Sequence, residues 1–280
     1  MMAGRPLVLK FGGELLEDRA NLAAVVAGVA SIAAREPVVV VHGGGKEIDA
    51  ALKTAGVEKR QVDGLRITDA ATLDIVVSVL AGAVNTRFVA ALNTAGVAAV
   101  GLTGADARCG LSVAAPPHAA VDGRLVDLDR VGVPCADMDP RLVQTLMRDS
   151  FVPVVACIGL GEDGQLLNVN ADTLAGHLSA RLSARRLVIA GTTAGVLGAN
   201  NETLPRLESS EIAALVSAGT ATAGMIAKLR ACEHALAGGV DDVVIVDGRD
   251  TDALVAAATS HEVKKGTRLE REALSERGAR

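Results

Sequence analysis

Pro37-Val38-Val39-Val40-Val41-His42-Gly43-Gly44-Gly45 decides the architecture. Four consecutive valines suit a strand buried on both faces of a parallel sheet. The three glycines after them make a sharp turn into a helical stretch from about Lys46 to Ala55. The same unit stands upstream. Pro6 to Lys10 is a short apolar run, Phe11-Gly12-Gly13 follows, and Asn21 to Ala34 has helical periodicity. Strand, glycine turn and helix, twice in succession, indicate a layered α/β fold.

Downstream, Val57 to Thr68 is polar and mixed, as in a loop or small hairpin over the sheet edge. Asp69 is an N-cap for a long helix to about Ala95. Val97 to Leu102 reads as another buried strand. Leu111 to Met138, with short alternating segments and Gly/Pro punctuation, reads as an antiparallel hairpin layer. A helix over Pro140 to Asp149 and a strand over Val152 to Ile158 follow. Asn168 to Thr173 then leads into a helix ending near Ala184. Arg186 to Ala190 and Asp242 to Val246 read as strands, and Ser209–Ala218, Ala223–Ala237 and Thr251–Thr259 as helices. The expected division is an N-terminal half, residues 1–185, and a C-terminal half, residues 186–280, sharing one sheet.

With 280 residues, half of them apolar and 22% charged, the chain is globular. It has no Trp or Tyr and three Phe, so stacking platforms for single-stranded nucleic acid are nearly lacking. The net charge of −5 gives no general attraction to phosphate backbones. Any phosphate must therefore be held by local features, and no nucleic-acid partner is expected. No apolar stretch reads as reaching the ~18–20 residues of a membrane span, and no export signal is seen. Cys109, Cys135, Cys157 and Cys232 are scattered without a C-x-x-C pair. Four reduced thiols in a cytoplasmic protein, and no metal site, are expected.

Glycine turns after buried strands let backbone N–H groups approach an anion, and the following helix adds its positive end. Gly12, Gly13, Gly44 and Gly45 are therefore phosphate or carboxylate candidates, although sharp turns also need glycine. No G-x-x-x-x-G-K-[ST] is present and no G-x-G-x-x-G follows the first strand, which removes the Walker and dinucleotide readings. Lys10 ends a buried run at the carboxyl edge of the sheet, where open α/β sheets bind ligands. It is either a solvated strand end or a charge that needs a partner. Taken alone, Lys228 in Gly224-Met225-Ile226-Ala227-Lys228 is a helix-surface lysine. Asn170 or Asp172 in Asn168-Val169-Asn170-Ala171-Asp172-Thr173 fits a helix cap. Arg66 is an exposed loop arginine or a bidentate carboxylate clamp, and His42 reads as a packed strand-end histidine.

Leu9-Lys10-Phe11-Gly12-Gly13, Val41-His42-Gly43-Gly44-Gly45, Gly64-Leu65-Arg66-Ile67-Thr68, Asn168-Val169-Asn170-Ala171-Asp172 and Gly224-Met225-Ile226-Ala227-Lys228 occur in that order. As a set they resemble the amino acid kinase family, and within it the N-acetylglutamate kinases, from Lys10 to Gly266-Thr267-Arg268. The resemblance implies a three-layer α/β/α sandwich around a mainly parallel open sheet of about eight strands. It implies an acyl-amino-acid and dimerisation half followed by an ATP half. The implied reaction is ATP-dependent phosphorylation of the side-chain carboxylate of N-acetyl-L-glutamate in arginine biosynthesis, with Mg2+ carried by the nucleotide.

In that family Lys10 and Lys228 would stabilise the phosphoryl group in transit and Asp172 would hold both lysines. Gly44, Gly45, Arg66 and Asn168 would bind the acceptor. Gly12, Gly13, Thr192, Gly195, Val196, Leu197, Gly224 and Met225 would line the phosphates and nucleotide. A carboxylate nucleophile is already ionised at pH 7, so positioning and charge neutralisation are what such a site must supply.

Four departures bear on this. Where the family often carries Thr-Asp before Gly-Val-Leu, this chain has Gly191-Thr192-Thr193-Ala194-Gly195-Val196-Leu197, with Thr192 in place of the acidic residue near ATP, which alters the nucleotide side. Its Ser-Gly-Lys-Asp is Thr103-Gly104-Ala105-Asp106. The long N-terminal helix of arginine-inhibited hexameric members is missing before Lys10, and Val255 to Thr259 lacks their glutamate. An arginine-insensitive homodimer is the expectation. Ile67, where N-acetylaminoadipate kinases often carry an aromatic residue, favours the glutamate acceptor. N-succinylglutamate stays open as a substrate, and so does a non-catalytic ligand-binding homologue.

Overall fold

The computed structural model describes residues 4–198, 200–217 and 223–272. Its centre is an eight-stranded sheet. The strands are β1 (Leu7–Phe11), β2 (Val38–His42), β3 (Ala99–Thr103), β4 (Val152–Ala156), β5 (Arg186–Gly191), β6 (Arg206–Glu208), β7 (Asp242–Asp247) and β8 (Thr267–Glu270). Their order across the sheet is β6-β8-β7-β5-β1-β2-β4-β3. Only β7 and β8 pair antiparallel, through Val243↔Leu269. The central register sets Lys10 opposite Ile189 on one side and Val41 on the other.

Alternation along β1 shows why the sheet is covered on both faces. Val8 belongs to one apolar core, with Ile48, Val76, Leu174, Leu178 and Leu229. Leu7, Leu9 and Phe11 belong to the other, with Val25, Val29, Phe88 and Leu254. Helices α1 (Glu14–Glu17) and α2 (Arg19–Ala33) follow β1, and α3 (Gly45–Thr54) follows β2. A long helix runs from α4 (Ala70–Val77) through a π-helical stretch, Ser78–Val84, into α5 (Asn85–Thr94). Then come α6 (Arg141–Arg148), α7 (Ala171–Arg181), α8 (Ser209–Ser217), α9 (Ala223–Ala237) and α10 (Thr251–Thr259). Residues of α3, α4, α6, α7 and α9 fill the first core, and those of α1, α2, α5 and α10 the second. The three-layer α/β/α sandwich is therefore present, with one strand pair reversed. Asp18, Asp69, Asn170 and Asp250 cap α2, α4, α7 and α10 through side-chain oxygens that accept backbone N–H groups.

Several elements differ from expectation. The stretch Val152 to Ile158 is not one strand: it breaks at Cys157, and Ile158–Leu160 turns into a second, four-stranded sheet with Leu166–Val169, Val131–Pro134 and Ser112–Ala114. That layer is not wholly antiparallel, since Asn168 pairs parallel with Val131. The edge strand β6 and its neighbour β8 carry charges at alternate positions and look like loop in sequence. The helix expected over Ser209–Ala218 is described to Ser217, and Ala218 lies outside the described residues.

A further correction concerns the helix from Ala70 to Thr94. At 25 residues it is long and apolar enough to cross a membrane by length and composition. Its Val76 and Leu80 are buried in the first core and its Val84, Phe88 and Leu92 in the second, as in the core helix of a globular protein.

The four cysteines are free, three of them buried. At the amino ends of the strands, Arg186 forks onto Asp242 at 2.6 Å with both side chains buried, and its Nη1 donates to Ala257 O and Ser260 O.

Candidate active site

The carboxyl ends of β1, β2 and β5 form the floor of a site. Lys10 is 4% exposed, and its Nζ lies 2.8 Å from Asp172 Oδ1. Asp172 is in the first turn of α7, where the Asn170 cap and the positive end of the helix both favour an anion. Lys228 on α9 approaches the other carboxylate oxygen at 3.6 Å. Burial pushes the Asp172 carboxyl up, but the two ammonium groups outweigh it and hold the carboxyl below its ordinary value of 3.8. Two cations and one anion are thus gathered in a largely buried cluster, with a net positive charge for an incoming anion. Lys10 is the partnered charge, not the solvated strand end, and Lys228 faces Asp172.

Both glycine turns lie against this cluster. Gly12 N–H donates to Ala190 O, and Gly43 N–H donates to Phe11 O, which ties the turns to the strand ends. A Cβ on Gly13 would stand 2.5 Å from Gly44 Cα and 2.8 Å from Gly44 N, so the turns can approach only without side chains. Gly45 opens α3, and the N-cap position, Gly44, offers no side-chain cap. The first N–H groups of that helix are therefore available to an anion. Gly43 is close to Ala171, beside Asp172.

Arg66 lies in the short hairpin of Gln61–Val62 and Leu65–Arg66. Its Nη2 pairs with Asp49 of α3 and donates to Gly45 O at 3.3 Å. Its Nη1 is buried and has no hydrogen-bond partner among the described residues. Lys59 also pairs with Asp49, at 2.8 Å. Burial raises the Asp49 pKa, but Lys59 and Arg66 overcome this and leave it below the usual value. Asn168, on the strand leading into α7, donates from Nδ2 to Thr68 Oγ1 at 3.0 Å. Its Oδ1 is thus left to accept. Asp49, the support of Arg66, carried no sequence signal, and Thr68 stood in a motif without its pairing to Asn168 being marked, because pairing between distant loops has no local pattern.

The nucleotide-side candidates form a second group. Thr192, Gly195, Val196 and Leu197 follow β5. Thr192 O accepts from Arg249 Nη2 at 3.2 Å, Val196 N–H donates to Thr267 Oγ1 at 2.8 Å, and Leu197 bridges to Thr203. A cavity of about 370 Å³ opens beside them, lined by Ala194, Thr203, Val246, Asp247, Lys265 and Gly266 among others. Gly224 and Met225 lie in the first turn of α9, one turn before Lys228. The side chain of Glu14, which no motif singled out, projects between Gly12 and Gly191.

Residues 5–247 match the model of the amino acid kinase family. An acetylglutamate kinase of Rhizorhabdus wittichii is 41% identical over 263 residues, covering 91% of this chain and 86% of that protein. One of Caulobacter vibrioides is 38% identical, covering 95% and 90%. Among solved structures, the N-acetylglutamate synthase of Neisseria gonorrhoeae superposes with a TM-score of 0.81 at 24% identity. The match covers 97% of this chain and 61% of that one. The carbamate kinase of Giardia superposes with a TM-score of 0.69 at 17% identity, covering 96% and 100%. These two share the fold. With the family model matched over most of its length and relatives near 40% identity along nearly all of it, the chain belongs to the amino acid kinase family.

Proposed function

We propose that this chain transfers the γ-phosphoryl group of ATP to the side-chain carboxylate of N-acetyl-L-glutamate, giving N-acetylglutamyl 5-phosphate in arginine biosynthesis. The observation that carries it is the Lys10–Asp172–Lys228 cluster at the strand ends, flanked by two facing glycine turns. The curated relatives with the acetylglutamate kinase name support the choice of acceptor.

A carboxylate oxygen of the acceptor attacks the γ-phosphorus, and the bond to the β,γ-bridging oxygen breaks to release ADP. No proton has to move, because the nucleophile is already ionised. The difficulty is the meeting of two anions, and fixed positive charge and N–H donors are the remedy. Lys10 and Lys228 offset the phosphoryl charge while Asp172 limits their mutual repulsion. Gly44 and Gly45 N–H groups bind the transferring group. The free Nη1 of Arg66 takes the main-chain carboxylate, and Asn168 Oδ1 accepts from the acylated nitrogen. Gly12, Gly13, Thr192, Gly195, Val196, Leu197, Gly224 and Met225 line the nucleotide. Mg2+ carried by the ATP phosphates would supply further charge neutralisation there.

A homodimer fits the helix from Ala70 to Thr94, whose most apolar window is only 33% buried within one chain. Its exposed positions include small residues, Ala71, Ser78, Gly82 and Ala83, together with Asp74 and Arg87. We assign residues 1–185 to the acceptor and the dimer, and residues 186–280 to ATP. The free thiols suit the reducing cytoplasm.

ADP release with Mg-ATP, measured for N-acetylglutamate, N-succinylglutamate, N-acetylaminoadipate and free glutamate, tests the assignment. N-acetylglutamate should be turned over with a kcat/KM well above the others. Turnover confined to another acceptor would move the pathway and keep the chemistry. ATP binding without turnover of any acceptor would make the chain a non-catalytic homologue.

A further inference from the structure

His42 ends β2 with no exposed surface, and it is hydrogen-bonded at both ring nitrogens. Nε2 lies 3.0 Å from Asn85 Nδ2, and Nδ1 lies 3.1 Å from Gly43 O. The same Asn85 Nδ2 donates to Val154 O at 2.9 Å. A carbonyl only accepts, so the amide nitrogen of Asn85, not its oxygen, faces this side. His42 Nε2 must then accept, the ring proton sits on Nδ1, and Nδ1–H donates to Gly43 O. Burial keeps the ring neutral near pH 7, with its pKa lowered to about 4. Phe88 stands edge-on to the ring at 6.2 Å and 82°, which fixes its plane.

Gly43 C=O and Gly44 N–H belong to one peptide unit. No cis bond occurs among the described residues, so the two groups point in opposite directions. A peptide between two glycines has little steric reason to hold one orientation. A donor that grips Gly43 O therefore also aims Gly44 N–H. No acceptor for that N–H is found among the described residues, and its nitrogen faces the space left open at Gly13.

Distant elements are arranged to allow this contact. Asn85 comes immediately after the π-helical stretch Ser78–Val84, a departure from α geometry that is common at functional sites. Opposite it, on β3, any Cβ at Gly101 would collide with Asn85 Oδ1.

We infer that Asn85 and His42 form a buried positioning relay that holds the Gly43–Gly44 peptide with Gly44 N–H presented to the transferring phosphoryl group. The inference rests on the kinase reading above for the identity of that group. The relay itself is a statement about proton position, which can be tested independently. His42 is a positioning residue, since it acts on the reaction only through the Gly44 N–H.

Asn and Gln imitate different nitrogens of histidine. The Asn amide nitrogen falls near the place of Nδ1, and that of Gln near Nε2. His42→Asn should keep kcat within about threefold of the wild type. His42→Gln and His42→Phe should lose about 10- to 100-fold in kcat with the KM for ATP unchanged, the scale of a misaimed catalytic group. A packing role would predict the reverse order, because Asn leaves the larger void.

Long-range 1H–15N correlation spectra of histidine-labelled wild type, assigned by the signal lost in His42→Asn, report the ring directly. The Nδ1–H tautomer at pH 7 is expected. An Nε2–H tautomer, or a folded His42→Phe with wild-type kcat, would overturn the relay. A wild type that forms no acyl phosphate would instead sink the kinase reading, while the tautomer would still decide whether Gly43 O is held as described.

Discussion

Lys10 is tolerated at the end of a buried strand because Asp172 is 2.8 Å away, and Asp172 is tolerated there because two lysines and a helix N-terminus face it. Removing either partner exposes the cost of burying the other. Asp172→Asn should lower kcat by about 10²- to 10³-fold and also lower the melting temperature, since two ammonium groups would be left together. Arg66→Lys keeps a charge but loses the planar fork. It should raise the KM for the acceptor by roughly tenfold or more, with little change in the KM for ATP.

Acid acts on the same residues. The Asp172 carboxyl is held below 3.8, so its contribution to stability is complete above that value and is lost as pH falls below it. His42 is neutral in the fold down to about pH 4, whereas the unfolded chain takes up the proton near 6.5. Its contribution is full above 6.5 and is lost as pH drops toward 4, on the order of 3 kcal/mol in all. Melting curves from pH 7 to pH 4 should therefore fall, and His42→Asn should flatten the slope. An unchanged slope would show that His42 is not desolvated as described.

At the scale of elements, the strand–glycine–helix units place the chemistry. Helix α7 delivers Asp172, and its cap is Asn170, whose Oδ1 accepts from Asp172 N and Thr173 N at 2.9 and 3.1 Å. Asn170→Ala should cost about 1 kcal/mol and lower kcat more than it changes either KM, because the turn carrying Asp172 loosens. Equal thermal stability of the variant and the wild type would contradict the cap.

These central elements were legible because each carries a local signal. The valine run of β2, the glycine turns and the capping residues each follow from composition within a few positions. Other features were hidden for physical reasons. Edge strand β6 and its neighbour β8 are short and alternate charged with apolar residues, as in Arg206-Leu207-Glu208 and Arg268-Leu269-Glu270, so no apolar run marks them. The π-helical stretch differs from an α-helix by one residue per turn and has the same composition. The partners of Arg66 and Asn168 come from elements 17 and 100 residues away, at Asp49 and Thr68, and pairing over that distance leaves no trace in one sequence.

Across the whole molecule, reactive groups and stabilising groups occupy opposite ends of the sheet. The carboxyl ends hold Lys10, Asp172 and Lys228, and the amino ends hold the buried Arg186–Asp242 pair. Arg186→Met should destabilise by about 1–3 kcal/mol, because Ala257 O and Ser260 O lose their donor while Arg268 still pairs with Asp242, and the kcat of the folded fraction should stay near the wild-type value. A large loss of kcat in folded Arg186→Met would show that the ends are coupled. The apolar, largely exposed helix Ala70–Thr94 makes a second whole-molecule claim. Light scattering should return twice the 28.4 kDa chain mass, and a monomer would contradict it.

Acyl-phosphate formation tests the central claim most directly. Wild type and Lys10→Ala would each be incubated with Mg-ATP, N-acetylglutamate and hydroxylamine, and the hydroxamate measured. The account predicts hydroxamate with the wild type and a rate lower by about 10²- to 10³-fold with Lys10→Ala. Equal rates from the two folded proteins would contradict it, because phosphoryl transfer would then not depend on the buried lysine around which the site is built.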